Sequence, residues 1–274
     1  MNTDCRALEL WGKNLQSTVG EKFTRVELAM IKLPPFQFSV IIGLIISDCW
    51  LGFASNRHKN VHLQFQQSKA NSEYLWFVEG ARARAYVLRR GDKSPAQNFN
   101  ILCHYCKSFP TLRKSIGGGI TYLRVRFDTR SLLCLTDIYS RRGPYVSARW
   151  WQKLFYVNKV KIIPDNIYDL LTPVAIAHWI QGDETKHGNG LVICTDSFTI
   201  CEVVTLINVL IIRYNLDCSV FNKGGYYRIY IRARSIPLLI TRGRKIWFST
   251  PTFQPPGGRN SLFSFFNALL QYGL

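Results

Sequence analysis

Two aspartates, Asp48 and Asp183, each close an apolar run, Phe38 to Asp48 and Thr172 to Asp183, and they stand 135 residues apart. A carboxylate at the C-terminal end of a helix sits where the backbone dipole is already negative. Two of them drawn together offer the oxygen-rich site that suits a hard divalent cation such as Mg2+. Such an ion activates water and shields phosphate charge, so the pair would serve phosphodiester hydrolysis without a covalent nucleophile. One aspartate ending a helix is ordinary; a second at the matching place of a related half gives the pair its meaning. For the carboxylates to meet, the helices must lie side by side. Small residues permit this: Gly43 and Ser47, four apart on the first helix, and Ala177 and Gly182 on the second.

The remainder of the chain repeats in the same order. Leu123-Arg-Val-Arg-Phe-Asp-Thr-Arg-Ser matches Tyr227-Arg-Ile-Tyr-Ile-Arg-Ala-Arg-Ser at an offset of 104, which sets Arg124 and Arg130 on Arg228 and Arg234. Gln67-Ser68 and Ser72-Glu73 resemble Asp196-Ser197 and Cys201-Glu202 at an offset of 129. The first half therefore carries about 25 extra residues between Glu73 and Arg124, and Glu79 to Asn100 has the composition of a surface insertion.

Each half reads as an apolar helix, two strands, a helix, a further strand and a closing helix. Trp50 to Asn56 and Val61 to Gln67 alternate as strands around the turn Asn56 to Asn60. In the second half Thr172 is a natural N-cap and Pro173 fits the first helical position. Gly188-Asn-Gly190 turns the chain into a strand Gly190 to Asp196, followed by a helix Thr199 to Tyr214. A hairpin of Cys218 to Asn222 and Tyr226 to Arg232 closes around Lys223-Gly-Gly225. The pattern predicts an α+β chain with an N-terminal extension 1–34, a first repeat 35–158 with insertions near 79–100 and 141–153, a second repeat 159–240 and a divergent tail 241–274.

Composition bounds the partner. The 274 residues are 47% hydrophobic and 19% charged, which is globular rather than disordered. A formal net charge of +18 exceeds what solubility needs and points to a polyanion, nucleic acid before an anionic membrane surface. The longest apolar stretch, Phe36 to Phe53, is broken by Asp48 and is short for a bilayer, so it reads as a buried helix and no membrane partner is expected. The N-terminus has acidic residues and no secretory h-region. The eight cysteines read as small hydrophobes of a reducing compartment, and Cys103-His-Tyr-Cys106 lacks the second pair that a zinc site needs. His178 reads as a packing residue, while His62 and His187 are candidate DNA contacts.

Ile41-Ile-Gly-Leu-Ile-Ile-Ser-Asp48 and Leu171-Thr-Pro-Val-Ala-Ile-Ala-His-Trp-Ile-Gln-Gly-Asp183 resemble the two motifs of the LAGLIDADG homing endonucleases. Leu10-Trp-Gly-Lys-Asn, the stretch from Phe155 to Pro173, and Cys194-Thr-Asp-Ser-Phe-Thr are similar to segments of organellar intron-encoded members, so the resemblance covers Leu10 to about Leu239. It implies two pseudo-symmetric αββαββα repeats, with saddle-shaped antiparallel sheets and two central packed helices. The implied protein is a mitochondrial, monomeric, site-specific endonuclease of double-stranded DNA that serves intron homing, with Mg2+ held by Asp48 and Asp183. Two other readings accompany it: a maturase that assists splicing of its host intron RNA through the same basic saddle, and an inactive DNA-binding relic.

The resemblance also gives each active centre a polar residue on the second strand and a lysine. By position these are Gln66, Lys161 and Lys223, with Lys159 as a substitute for Lys161. Arg57, Lys59, Gln64, Arg124, Arg126, Arg228 and Arg232 would meet phosphates and base edges. The chain departs from the family where glycine usually follows the motif aspartates, carrying Cys49 and Glu184 instead. A side chain there is expected to obstruct a left-handed turn that brings a backbone carbonyl towards the metal. Glu79 to Asn100, Arg141 to Lys153 and the tail after Leu239 have no counterpart in the family.

Overall fold

The computed structural model describes residue 20 and residues 22–55, 58–69, 72–79, 102–117, 120–139 and 155–239. Arg57, the tail 241–274, the segment from Leu10 to Asn14 and the two expected insertions, beyond Glu79 and beyond Tyr139, lie outside the described residues. In chain order the elements are α1 (Arg25–Met30), α2 (Pro35–Ile46), β1 (Trp50–Phe53), β2 (Val61–Ser68), α3 (Ser72–Glu79), β3 (Thr111–Gly117), β4 (Ile120–Asp128) and α4 (Leu133–Tyr139). There follow β5 (Tyr156–Val157), β6 (Val160–Lys161), α5 (Ile167–Leu170), α6 (Pro173–Asp183), β7 (Glu184–His187), β8 (Gly190–Ile193), α7 (Ile200–Tyr214), β9 (Cys218–Lys223) and β10 (Tyr226–Ile231).

Two four-stranded antiparallel sheets have one and the same topology, β1-β2-β4-β3 and β7-β8-β10-β9, which makes the internal repeat a repeat of fold. Packing nevertheless divides the chain differently from sequence similarity. The described residues within Met1–Gln37 and Trp50–Leu135 form one compact unit, and those within Phe38–Cys49 and Thr136–Leu274 form the other. The helix of the first motif thus packs with the second half of the chain.

In the first unit, β2 and β4 turn Leu63, Phe65 and Phe127 inward, with Phe65 edge-on to Phe127 at 5.8 Å. Their other face carries Gln64, Gln66, Arg124 and Arg126, because the register pairs Gln64 with Asp128, Gln66 with Arg126 and Ser68 with Arg124. His62 begins the same row but is buried, edge-on to Trp50 at 5.6 Å and 3.9 Å from Asp128. Burial holds its pKa below the ordinary value. The expected DNA contact by His62 is therefore corrected: Trp50 covers it.

Repeat-equivalent arginines do different work. Arg130 is buried, donates to the Cys106 carbonyl at 2.5 Å and lies 4.5 Å above the Phe23 ring. Its counterpart Arg234 is exposed and pairs with Asp217. Cys103 and Cys106 are buried, the latter donating its thiol proton to the Leu102 carbonyl at 3.3 Å, in keeping with their reading as small hydrophobes.

In the second unit α7 starts on a capping box. Thr199 N–H donates to Glu202 at 2.7 Å, and Glu202 N–H donates back to the Thr199 hydroxyl at 3.4 Å. The same Glu202 accepts from Ile163 N–H at 2.8 Å, tying the β6–α5 connection to the helix start. Asn215, in the left-handed region with φ of 50°, ends the helix. Val203, Leu206, Ile207 and Leu210 make its buried face, and Ile229 and Ile231 that of β10. Strands expected to reach Asn56 and Asp196 end at Phe53 and Ile193, and the first motif helix ends at Ile46 rather than Asp48. Strand β7 was not foreseen: Glu184-Thr-Lys-His has no apolar alternation and starts where α6 ends.

Candidate active site

Helix α2 is buried almost all round from Ser39 to Ile46, which leaves no room for ordinary side chains between it and α6. A Cβ on Gly43 would lie 2.2 Å from the Ala175 carbonyl oxygen and 2.9 Å from His178 Cβ. One turn further on, a Cβ on Gly182 would meet the Ser47 side chain at 2.6 Å. Gly43, Ser47 and Gly182 thus make the close approach as expected. On the second helix, Ala175 rather than Ala177 lies opposite Gly43. Helix α6 begins as predicted, with Thr172 Oγ1 accepting from Ala175 N–H at 3.2 Å and Pro173 in the first helical position.

At the end of α2, Cys49 N–H returns to the Leu44 carbonyl at 2.9 Å and the Ser47 hydroxyl donates to the same oxygen at 3.1 Å. This closure leaves the Asp48 side chain exposed and buries Cys49. Among the described residues, the non-glycine positions with positive φ are Asn158, Lys159 and Asn215. Cys49 and Glu184 are not among them, so neither position takes a left-handed backbone.

Lys161 reaches from β6 to the end of α2, its Nζ donating to the Ser47 carbonyl at 2.8 Å. It occupies one of the carbonyls that every helix leaves unpaired at its C-terminus. Burial lowers its pKa, against the pull of Cys49, Asp183 and Asp48. Asp183, half-buried at the last position of α6, has its pKa pushed up to about 8 by burial first and by the Asp48 carboxylate second. Lys161 and Trp179 oppose this shift, and Asp196 adds to it. The Trp179 indole nitrogen is buried without a formed hydrogen bond among the described residues, yet its N–H still favours the charged carboxylate one turn along.

Asp48, Asp183 and Lys161 therefore share one electrostatic site. The donor set fits a divalent cation, since two repelling carboxylates, one driven to keep its proton, are what such an ion relieves. Among the described residues no cluster of three or more His, Cys, Asp or Glu is placed to hold a metal. Two carboxylates are nevertheless what Mg2+ commonly takes from a protein when water and phosphate oxygens complete its shell.

The other candidates lie elsewhere. Lys159 is exposed in the β5–β6 turn at φ of 68°, so Lys161 is the lysine brought to the aspartates. Lys223 is exposed at the tip of the β9–β10 hairpin, on the edge of the sheet opposite β7. Gln66 belongs to the first unit, mid-strand beside Arg126. Lys59 and Arg124 are exposed, and Arg126 pairs with Asp128 at 2.8 Å. Arg228 meets Asp196 through two hydrogen bonds of 2.5 and 2.7 Å, and Arg232, just past β10, lies 3.5 Å from Asp217. Sequence reasoning passed over Ser47 as an acceptor, Trp179 and Asp196. Of these, only Trp179, one helical turn before Asp183, had a readable signal.

His178 is buried behind Gly43, and desolvation pushes its pKa down from 6.5 to about 3. A depressed pKa favours the neutral form in the fold, so its contribution to stability is complete above about pH 6.5 and is lost as pH falls towards 3. Acid denaturation of a His178→Leu variant is accordingly expected to take up about one proton fewer near pH 5. An unchanged pH slope of stability would show that the imidazole is not shielded.

Fold and site together define a two-repeat α+β protein whose paired helices end in carboxylates. The chain belongs to the LAGLIDADG DNA endonuclease family, whose model matches residues 38–83 and 97–239. It is 35% identical over 92 residues to the cytochrome b mRNA maturase bI2 of Debaryomyces hansenii, covering 33% of this chain and 35% of that protein. It is 27% identical over 210 residues to the bI2 maturase of Saccharomyces cerevisiae, covering 73% of this chain and 43% of that one. The chain thus spans less than half the length of either maturase. The solved structure of the homing endonuclease I-WcaI bound to its DNA recognition sequence superposes with a TM-score of 0.59 at 22% identity, covering 86% of this chain and 91% of that one.

Proposed function

We propose that the chain is a site-specific endonuclease of double-stranded DNA, acting in intron homing, with Asp48 and Asp183 as ligands of a divalent cation, magnesium in the cell. The mutual electrostatic influence of Asp48, Asp183 and Lys161, with Lys161 bonded to the end of the first motif helix, carries this reading. The family, and the DNA-bound state of I-WcaI, support it. A bound cation would supply positive charge to the scissile phosphate and acidify a water. Asp48 and Asp183 would fix its position, the latter giving up its proton as the ion arrives. Lys161, pinned to the Ser47 carbonyl, would hold its ammonium where phosphate charge accumulates and keep the end of α2 in place. Gln66 and Lys223 are assigned the orientation of water and phosphate. Arg57, Lys59, Gln64, Arg124, Arg126, Arg228 and Arg232 are assigned to DNA. The relatives named for cytochrome b messenger RNA favour a mitochondrial home, and we assign the protein a monomeric state.

The test is cleavage, with magnesium, of a plasmid bearing the host gene without its intron; intact plasmid under conditions where the protein binds it would defeat the proposal. Binding is expected to weaken about a hundredfold or more between roughly 50 and 200 mM salt, because lysine and arginine contacts to phosphate release counterions. Affinity that ignores salt would remove the electrostatic part of the reading. The maturase relatives favour a second activity, help in folding host-intron RNA through the same basic surface. It predicts faster splicing that survives loss of either aspartate, and splicing indifferent to the protein would dismiss it.

A further inference from the structure

Resting on the proposed assignment of side chains from both sheets to DNA, we infer that the two halves divide recognition unequally: β1–β4 reads base sequence, whereas β7–β10 grips DNA with little discrimination. The registers of β2, β4 and β3 place Gln64, Ser68, Arg124, Arg126, Thr111 and Arg113 on one face, opposite the core residues Leu63, Phe65 and Phe127. Amides and guanidinium groups are the heads that pair in two-toothed fashion with adenine and guanine. Arg113 and Arg124 are cross-strand partners and both are exposed, so they stand beside the Arg126–Asp128 pair as a second basic row. Two aromatic residues share this face at its margins: Trp50, on the edge strand with its ring folded over Gly52, and the exposed Tyr122, near the far end of the β3–β4 pair.

The matching face of the second sheet is built otherwise. His187 lies 5.0 Å from Phe221 and 5.9 Å from Tyr230, so rings from both edge strands and from β10 form one cluster across it. Tyr230 lies across Gly190, where a Cβ would be 2.6 Å from the phenol ring and its hydroxyl. Arg228, opposite Phe221, is engaged by Asp196 through both carboxylate oxygens, as Arg126 is by Asp128, but β7 to β10 carry no further arginine to match the exposed Arg113 and Arg124. Rings and an engaged guanidinium pack against the sugar-phosphate surface but distinguish bases poorly. The hairpins differ in reach as well, β4 having nine residues against six in β10. Three residues at about 3.4 Å each span about three base pairs.

The experiment measures binding of the full chain to duplexes of the intron-free insertion site with each base pair replaced in turn. Replacements in one half of the site are expected to weaken binding about ten- to a hundredfold at several positions, and those in the other half less than about threefold. Arg124→Lys keeps the charge on an exposed strand position but loses the two-toothed contact, so it should weaken binding to the parent site about ten- to a hundredfold, leave binding to unrelated duplex nearly as before, and flatten the profile in the stringent half. Tyr226→Ala, on the second sheet, should lower affinity for every duplex alike. Equal stringency in both halves, or a profile that Arg124→Lys leaves intact while Tyr226→Ala alters it, overturns the inference. Binding no tighter to the insertion site than to unrelated duplex overturns the endonuclease reading itself, and with it this one.

Discussion

Asp183→Asn is expected to abolish DNA cleavage and, in the absence of metal, to raise the melting temperature. Both effects come from one carboxyl. Its pKa stands at about 8 in the fold, against an ordinary 3.8, because burial and Asp48 penalise its charge. A pKa raised by folding means that stability is complete below about 3.8 and drains away as pH climbs towards 8, since the unfolded chain gives up this proton first. An amide carries no such charge, so the gain should be small near pH 4 and reach a few kcal/mol near pH 8. It grows by about 1.4 kcal/mol for each pH unit over which the fold keeps a proton that the unfolded chain has lost, discounted for partial exposure. Cleavage should fall at least about a thousandfold, as it should in Asp48→Asn, since each removes a charged ligand from a two-carboxylate site. Melting curves in chelator at two pH values, beside plasmid cleavage in magnesium, check both halves. A variant that cleaves normally removes Asp183 from the chemistry. A variant whose melting temperature is unmoved at high pH removes the strain.

The second large effect is expected from a single methyl group. Gly43→Ala places a carbon 2.2 Å from the Ala175 carbonyl oxygen, an atom that no rotamer change can move. In a solvent-facing helix the same substitution stabilises by about 1 kcal/mol, because alanine has less backbone freedom to lose. Here the helices must separate, at a cost of about 3 kcal/mol or more. The sign is therefore diagnostic. Denaturant titration should show a lower midpoint with cleavage falling alongside it, since parting the helices parts Asp48 from Asp183. A midpoint equal to or above that of the parent would mean that the helices do not cross at Gly43.

Much of this fold could be read from the chain because its signals are local. Thr172-Pro173, Thr199 with Glu202, and Lys223-Gly-Gly225 each announce an element boundary through capping or positive φ. What stayed hidden depended on distant partners. Nothing in the Val61 to Ser68 alternation shows that Trp50 roofs His62 while leaving Gln64 and Gln66 half-open on the same row. The bond from Lys161 to Ser47 joins residues 114 apart and uses a backbone oxygen, which has no sequence identity to betray it. Cys49 follows Asp48 without a left-handed turn, because the chain closes α2 by a return bond to the Leu44 carbonyl, a backbone contact that no residue type announces. The aspartate pair was legible through the repeat alone, whereas Ala175 replaced Ala177 because helix rotation is set by packing and not by residue size.

The residence of α2 in the second unit bears on how the gene tolerates damage. A product cut short after Leu135 would retain the sheet β1–β4 but would strand the eight buried residues Ser39 to Ile46 without α6 to cover them. Such a stub would expose an apolar rod and invite clumping or degradation, so the first half of the reading frame cannot be inherited as a working module alone.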